Sequence, residues 1–183
     1  MTLDVVRRAP LAVVGLDTTT GVPPLITEAA VYHLAGGVVT AGPLCWPVAP
    51  DAPMFQIPHR SRSNLRLAPP WSKVAGHVVA TVARRVVVMH EQTRLTVLRR
   101  HLPDWEPGPV LFTADLAERV WPGLVSYGLW SVTAAVGIDH IPGVGGAGAG
   151  AVAEAYAVAM LLHALAREAV RHGDRARSTR SSA

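Results

Sequence analysis

The 183-residue chain has one cysteine, Cys45, and one lysine, Lys73. A lone cysteine excludes an intramolecular disulfide and any multi-cysteine zinc site. Aromatic residues are scarce at 5% and charged residues make up only 16%, while half of the chain is hydrophobic. That balance excludes a disordered polyelectrolyte or a highly charged coil. No stretch approaches the ~18 apolar residues of a bilayer span, so no membrane partner is expected. Arg7 and Arg8 precede only a short apolar run, Leu11 to Leu16, which ends in Asp17 and threonines without a small-residue cleavage pattern. That is not a signal peptide, and the expected location is cytoplasmic.

What is present fits one α/β domain. A chain of this length can bury roughly 70% of its unfolded surface without staples. The expected organisation is an N-terminal extension over 1–10, a domain over 11–172 and a disordered basic tail over 173–183. The formal net charge of +4 is unevenly spread. Between His59 and His101 nine basic residues, including Arg60, Arg62, Arg66, Arg84, Arg85 and Arg94, face one acid, Glu91, a net of +8. The remainder carries −4. Such asymmetry can mark a polyanion-binding face, or a solvated surface that drifted basic.

Periodicity places the elements. Leu11 to Leu16 reads as a strand, Leu25 to Leu34 as a second, Gly36-Gly37 as a hairpin turn and Val38 to Trp46 as a third. Prolines 43, 47, 50 and 53 forbid a helix there, and the segment to about Leu67 reads as loop. Pro69-Pro70 opens a helix to Arg84, Val86 to Met89 forms a buried strand, and Glu91 to Leu102 a further helix. Val110 to Phe112 is another short strand, with Thr113 expected to cap the helix Ala114 to Val120. Tyr127 to Val136 forms the next helix, stopped by Gly137. Pro142 to Gly150 is a glycine-alanine loop. Val152 to about Arg171 forms a long helix with Val152, Tyr156, Ala159/Met160, His163 and Ala166 at helical spacing. Strands followed by alternating strands and helices predict an α/β domain with one mixed sheet.

Several blocks, in this order, resemble the DEDDh 3′–5′ exonucleases, the family of the bacterial proofreading subunit and ribonuclease T. Ala12-Val-Val-Gly-Leu-Asp-Thr-Thr-Thr-Gly21 resembles a first motif written Asp-x-Glu-Thr-Thr-Gly, and Leu25 to Tyr32 the strand after it. Ile57-Pro-His59 sits where the family has Ile-His-Gly, and Leu67 to Pro70 where it has an Ala-Pro helix entry. Val87 to Glu91 is similar to Val-x-His-Asn, Phe112 to Ala117 to Asp-Thr-x-x-Leu-Ala, and Tyr127 to Val132 to a Tyr-x-Leu helix. Glu154 to Ala159 resembles the segment that begins at the last aspartate. The resemblance spans Leu11 to about Arg167 and implies a ribonuclease H-like mixed β-sheet flanked by helices.

The family's catalytic residues do not carry over. Four carboxylates there hold two divalent metals, and a histidine five residues before the last aspartate is the general base. Aligned back from Gly21, the first two acids fall on Leu16 and Thr18; with one extra threonine they fall on Gly15 and Asp17. After His90 the expected Asn is Glu91, and Arg94 and Leu95 stand near the next aspartate. The base position is Ala149, and Glu154 replaces the final aspartate. An arginine near the metal position opposes cation binding by like charge. The resemblance therefore implies a pseudo-enzyme with Asp17 and Glu154 as remnants and a cleft near Thr19, His90 and Glu91.

Each residue also has a plainer role. Asp17 can be a turn residue, Glu154 a first-turn helix acid. As neighbours at a strand end, His90 and Glu91 point different ways, against an acid–base pair. His59, His77, His101 and His140 are too scattered for a metal cluster, and Cys45 reads as a small buried hydrophobe. Trp71, Trp105, Trp121 and Trp130 could stack bases, although Trp121 and Trp130 better suit a core or interface. Ser126 and Ser131 lack a neighbouring His and Asp pattern. The expectation is an exonuclease-fold protein without cofactor, a non-catalytic binding or scaffolding module for nucleic acid or protein, including a homodimer. Two alternatives stand beside it: a weak Mg²⁺- or Mn²⁺-dependent 3′–5′ exonuclease, and a cleft recruited for a small-molecule biosynthetic role.

Overall fold

The computed structural model describes residues 4–51, 65, 67–139, 141 and 150–181, with side chains described to 171. Arg60, Arg62, Arg66, His59, His140, Ala149 and the loop 142–149 lie outside the described residues. The described elements are α1 (Asp4–Arg8), β1 (Leu11–Thr18), β2 (Ile26–Ala35), β3 (Val38–Pro47), α2 (Trp71–Val82), β4 (Val86–Met89), α3 (Gln92–His101), β5 (Val110–Phe112), α4 (Thr113–Val120), α5 (Leu129–Ala135) and α6 (Ala151–Ser181). They build the expected mixed sheet, five strands in the order β3-β2-β1-β4-β5. β2 runs antiparallel to β1 and β3, while β4 runs parallel to β1 and β5.

β1 lies at the centre and is buried on both faces, which its unbroken apolar run Leu11 to Leu16 reflects. Alternation splits that run between two cores. Leu11 and Val13 pack with Ala30, Val88 and the α6 residues Ala155, Val158, Leu161, Leu162 and Leu165. Ala12, Val14 and Leu16 pack on the other face with Ala29, Val31, Met89 and the α2 and α3 residues Val74, Val78, Val82 and Leu98. β3 is an edge strand, exposed along nearly its whole length, and it accommodates Pro43 because an edge position leaves one ladder partner out.

Several local expectations change. Within the segment expected as an extension, 1–10, Asp4–Arg8 form α1, and Val6 is completely buried in the α6-side core. α6 is assigned from Ala151 to Ser181, through Gly173. An isolated glycine costs a helix about 1 kcal/mol, which flanking Ala and Arg can outweigh. The most buried positions of α6 include Ala151, Glu154, Ala155, Val158, Ala159, Leu161, Leu162 and Leu165; of the expected set Ala159 is among them, Val152, Tyr156 and Ala166 pack partly buried against the core, and His163 is exposed. So many positions of this helix are apolar that periodicity alone could not choose its face. Cys45 is exposed rather than buried, because β3 is the sheet edge. Phe112, not Thr113, occupies the N-cap of α4. Gly137 does stop α5, with a φ of 74°.

Candidate functional site

β1 is followed by its antiparallel neighbour β2 on one side, while its parallel neighbour on the other side is β4, so the carboxyl ends of β1 and β4 flank a switch in strand order. Open α/β sheets place their clefts at such a point. A cleft of about 260 Å³ opens there, lined by His90, Glu91, Arg94, Trp130, Ser131 and Glu154 among others.

Gly15 sets the position of α6. A Cβ at residue 15 would collide with the carbonyl oxygen of Ala151 and come within 2.6 Å of the Ala155 nitrogen. The first turn of α6 therefore occupies the space a side chain at 15 would need. The pleat turns Asp17 to the same face as Gly15, and Leu16, 1% exposed, to the opposite core. Of the two registers for the first motif, the pair facing α6 and Glu154 is thus Gly15 and Asp17. The Leu16/Thr18 pair faces the α2 side.

α6 starts on an acid supplied by the sheet. Glu28, paired across β1–β2 with Asp17, accepts the Ala151 N–H at 3.1 Å through Oε2 and the Cys45 thiol at 2.9 Å through Oε1. Desolvation of the sulfur and this carboxylate push the Cys45 thiol up to about 12, which keeps it protonated near neutral pH although the residue is exposed. One signal for Glu28 was available in the sequence, an acid within an otherwise apolar strand.

Glu154 lies on the first turn of α6 and is only 5% exposed. The Arg94 guanidinium sits on it, with Nη2 3.1 Å from Oε2, and the Leu16 N–H donates to it as well. Burial nevertheless raises its carboxyl to about 7, against the pull of Arg94, with the negative charges of Asp17 and Glu91 adding to the rise. Arg94 is the counter-ion of Glu154. It stands on α3 one turn after Glu91, the N-cap.

His90 is structural. Its Nε2 donates to the Tyr127 carbonyl at 2.8 Å, which leaves Nδ1 to accept the Thr113 hydroxyl at 2.9 Å. This contact, rather than a helix cap, is the role of Thr113. Burial holds the His90 pKa below its ordinary value. Glu91 Oε1 stands 3.8 Å from Nε2, a nitrogen already committed to Tyr127. Thr19 is buried in the turn after β1, where its hydroxyl accepts the Leu25 N–H at 2.9 Å, and Leu95 packs against the α2-side core. Asp17 accepts the Thr18 N–H at 3.1 Å.

Trp130, expected in a core or interface or as a base-stacking ring, is 42% exposed at the cleft, and Ser131 lines it too. Trp71, Trp105 and Trp121 are half-buried against the two cores. Arg84 and Arg85 lie at the opposite end of β4 from the cleft, just before Val86.

These residues do not suit a pair of divalent cations. Among the described residues no three His, Cys, Asp or Glu side chains converge where one metal ion could be held. Hard cations need several oxygen ligands, and a guanidinium already sits on the carboxylate best placed to be one.

No protein-family model matches the chain, and no curated protein matches it. Solved structures do. Exonuclease X in complex with 5′ overhanging duplex DNA is similar at a TM-score of 0.65 and 25% identity, over 85% of this chain and 90% of its own. E. coli exonuclease I in complex with a dT13 oligonucleotide aligns at a TM-score of 0.70 and 16% identity, over 92% of this chain. An ExoI/SSB-Ct complex aligns at 0.68 and 16%. The chain spans only 43% of the exonuclease I chain in both. Among the described residues no helix is long and apolar enough to cross a membrane. The mixed five-stranded sheet with its flanking helices is the ribonuclease H-like fold of the exonucleases.

Proposed function

We propose that the chain is an exonuclease-fold binding module that holds a nucleic-acid strand at the cleft without cutting it. The observation that carries this reading is the Arg94–Glu154 pair, a protein cation seated at 3.1 Å on a buried carboxylate. A second acid at position 15 has no room beside α6. In the exonucleases this fold resembles, carboxylates gather metals to activate water; here an arginine sits on the buried carboxylate of Glu154. Binding needs less. Arg94, whose side chain is 37% exposed while paired with Glu154, and the exposed face of Trp130 line one cleft, a cation for a phosphate beside an aromatic surface for a base. Exonuclease X and exonuclease I have both been solved with DNA.

The test incubates the purified chain with Mg²⁺ or Mn²⁺ and end-labelled single-stranded DNA and RNA. The expected result is salt-sensitive binding without trimming of the 3′ end, with affinity reduced in Trp130→Ala. Robust 3′ trimming that disappears in Asp17→Ala or Glu154→Ala overturns the reading. So does the absence of any binding at low salt.

A further inference from the structure

The end of the sheet opposite the cleft carries a second concavity. There the chain leaves α2 at Ala83, turns through Arg84 and Arg85 and enters β4. The groove is about 570 Å³, within the range of peptide and small-ligand sites. Val79, Val82, Trp105 and Pro109 give it an apolar lining, and Arg84 and Arg85 stand along it. Neither arginine has a carboxylate within ion-pair distance among the described residues. The one acid of the groove, Glu106, lies 3.8 Å from Arg99 instead.

Arg84 also holds a φ of 58°, and among the described residues it is the one non-glycine in the left-handed region. L-residues with a Cβ enter that region at a cost, and glycine or asparagine would make the turn more cheaply. The turn by itself therefore does not call for an arginine. Two uncompensated guanidinium groups beside an aliphatic floor complement a ligand that is anionic at one end and apolar at the other. Nucleic acid matches this less well, since its phosphates leave the apolar lining of Val79 and Pro109 uncovered and the groove offers a single half-buried aromatic ring. We infer that this groove docks an acidic segment of a partner protein, its carboxylates on Arg84 and Arg85 and an apolar side chain on Val79, Trp105 and Pro109.

The probe is a short fluorescein-labelled peptide, an aspartate run followed by leucine and phenylalanine, titrated with the full chain by fluorescence anisotropy. Saturable binding is expected, weakened about tenfold in the Arg84→Glu/Arg85→Glu double variant. Replacing leucine and phenylalanine of the peptide by serine is expected to weaken it similarly. Arg84→Gly separates docking from folding: relief of the left-handed residue raises Tm by about 2–4 °C while peptide binding falls. The inference is overturned if the peptide does not bind, if the double variant binds it unchanged, or if the serine peptide binds equally well. It is also overturned if an oligonucleotide, and not the peptide, shows the dependence on Arg84 and Arg85.

Discussion

Glu154→Gln removes one charge from the best-defined electrostatic feature of the molecule. Burial raises the Glu154 carboxyl from its ordinary 4.5 to about 7 in the folded chain. Between those two values the folded state binds a proton that the unfolded state has released. Stability from this group is therefore highest below about pH 4.5 and is lost as pH rises through about 7. At ~1.4 kcal/mol per pH unit the loss is about 3 kcal/mol, and since the residue is only 5% exposed it needs no discount for solvent screening. His33 and His90, both held below their ordinary pKa by burial, act with the opposite sign; they strengthen the fold as pH rises toward 6.5. Their contribution is common to wild type and variant and cancels in the comparison. Urea unfolding followed by tryptophan fluorescence between pH 5 and pH 8 is the assay. The wild-type midpoint is expected to fall, relative to that of the Gln variant, by about 1–2 M. Parallel midpoint curves for the two proteins across that range would refute the buried, proton-binding Glu154.

Two further substitutions probe the contacts that place this acid. Gly15→Ala puts a methyl group against the backbone of α6, where only a shift of the helix can relieve it; a cost of about 3 kcal/mol and a Tm lower by about 6–12 °C are expected in calorimetry. A Tm within about 1 °C of wild type would show that α6 is not so close to β1. Glu28→Ala leaves the Ala151 N–H without its acceptor, for about 1 kcal/mol by analogy with a lost helix cap. It also removes one of the groups that push the Cys45 thiol up to about 12, so the reaction of Cys45 with a disulfide reagent at pH 8 accelerates. An unchanged reaction rate would count against the Cys45–Glu28 contact.

Order and type of the elements were legible in the chain because they rest on local physics. The apolar run Leu11 to Leu16, the Gly36-Gly37 turn, the Pro69-Pro70 helix entry and the stop at Gly137 each carry their instruction within a few residues. The resemblance of the motifs to an exonuclease then anticipated the sheet, and the solved neighbours bear out that fold. What the chain could not state is which residues meet. Two registers of the first motif were equally readable until the pleat turned Gly15 and Asp17 toward α6. Arg94 looked like one charge in a basic window, yet it lies on Glu154, sixty positions later, while Arg84 and Arg85 of the same window occupy the far end of the sheet. Glu28 and Ala151 meet across 123 residues. Composition and periodicity act over a turn of helix or a pair of strands, whereas an ion pair or a cap depends on where two distant backbones cross. That crossing is set by the packing of α6 against a glycine.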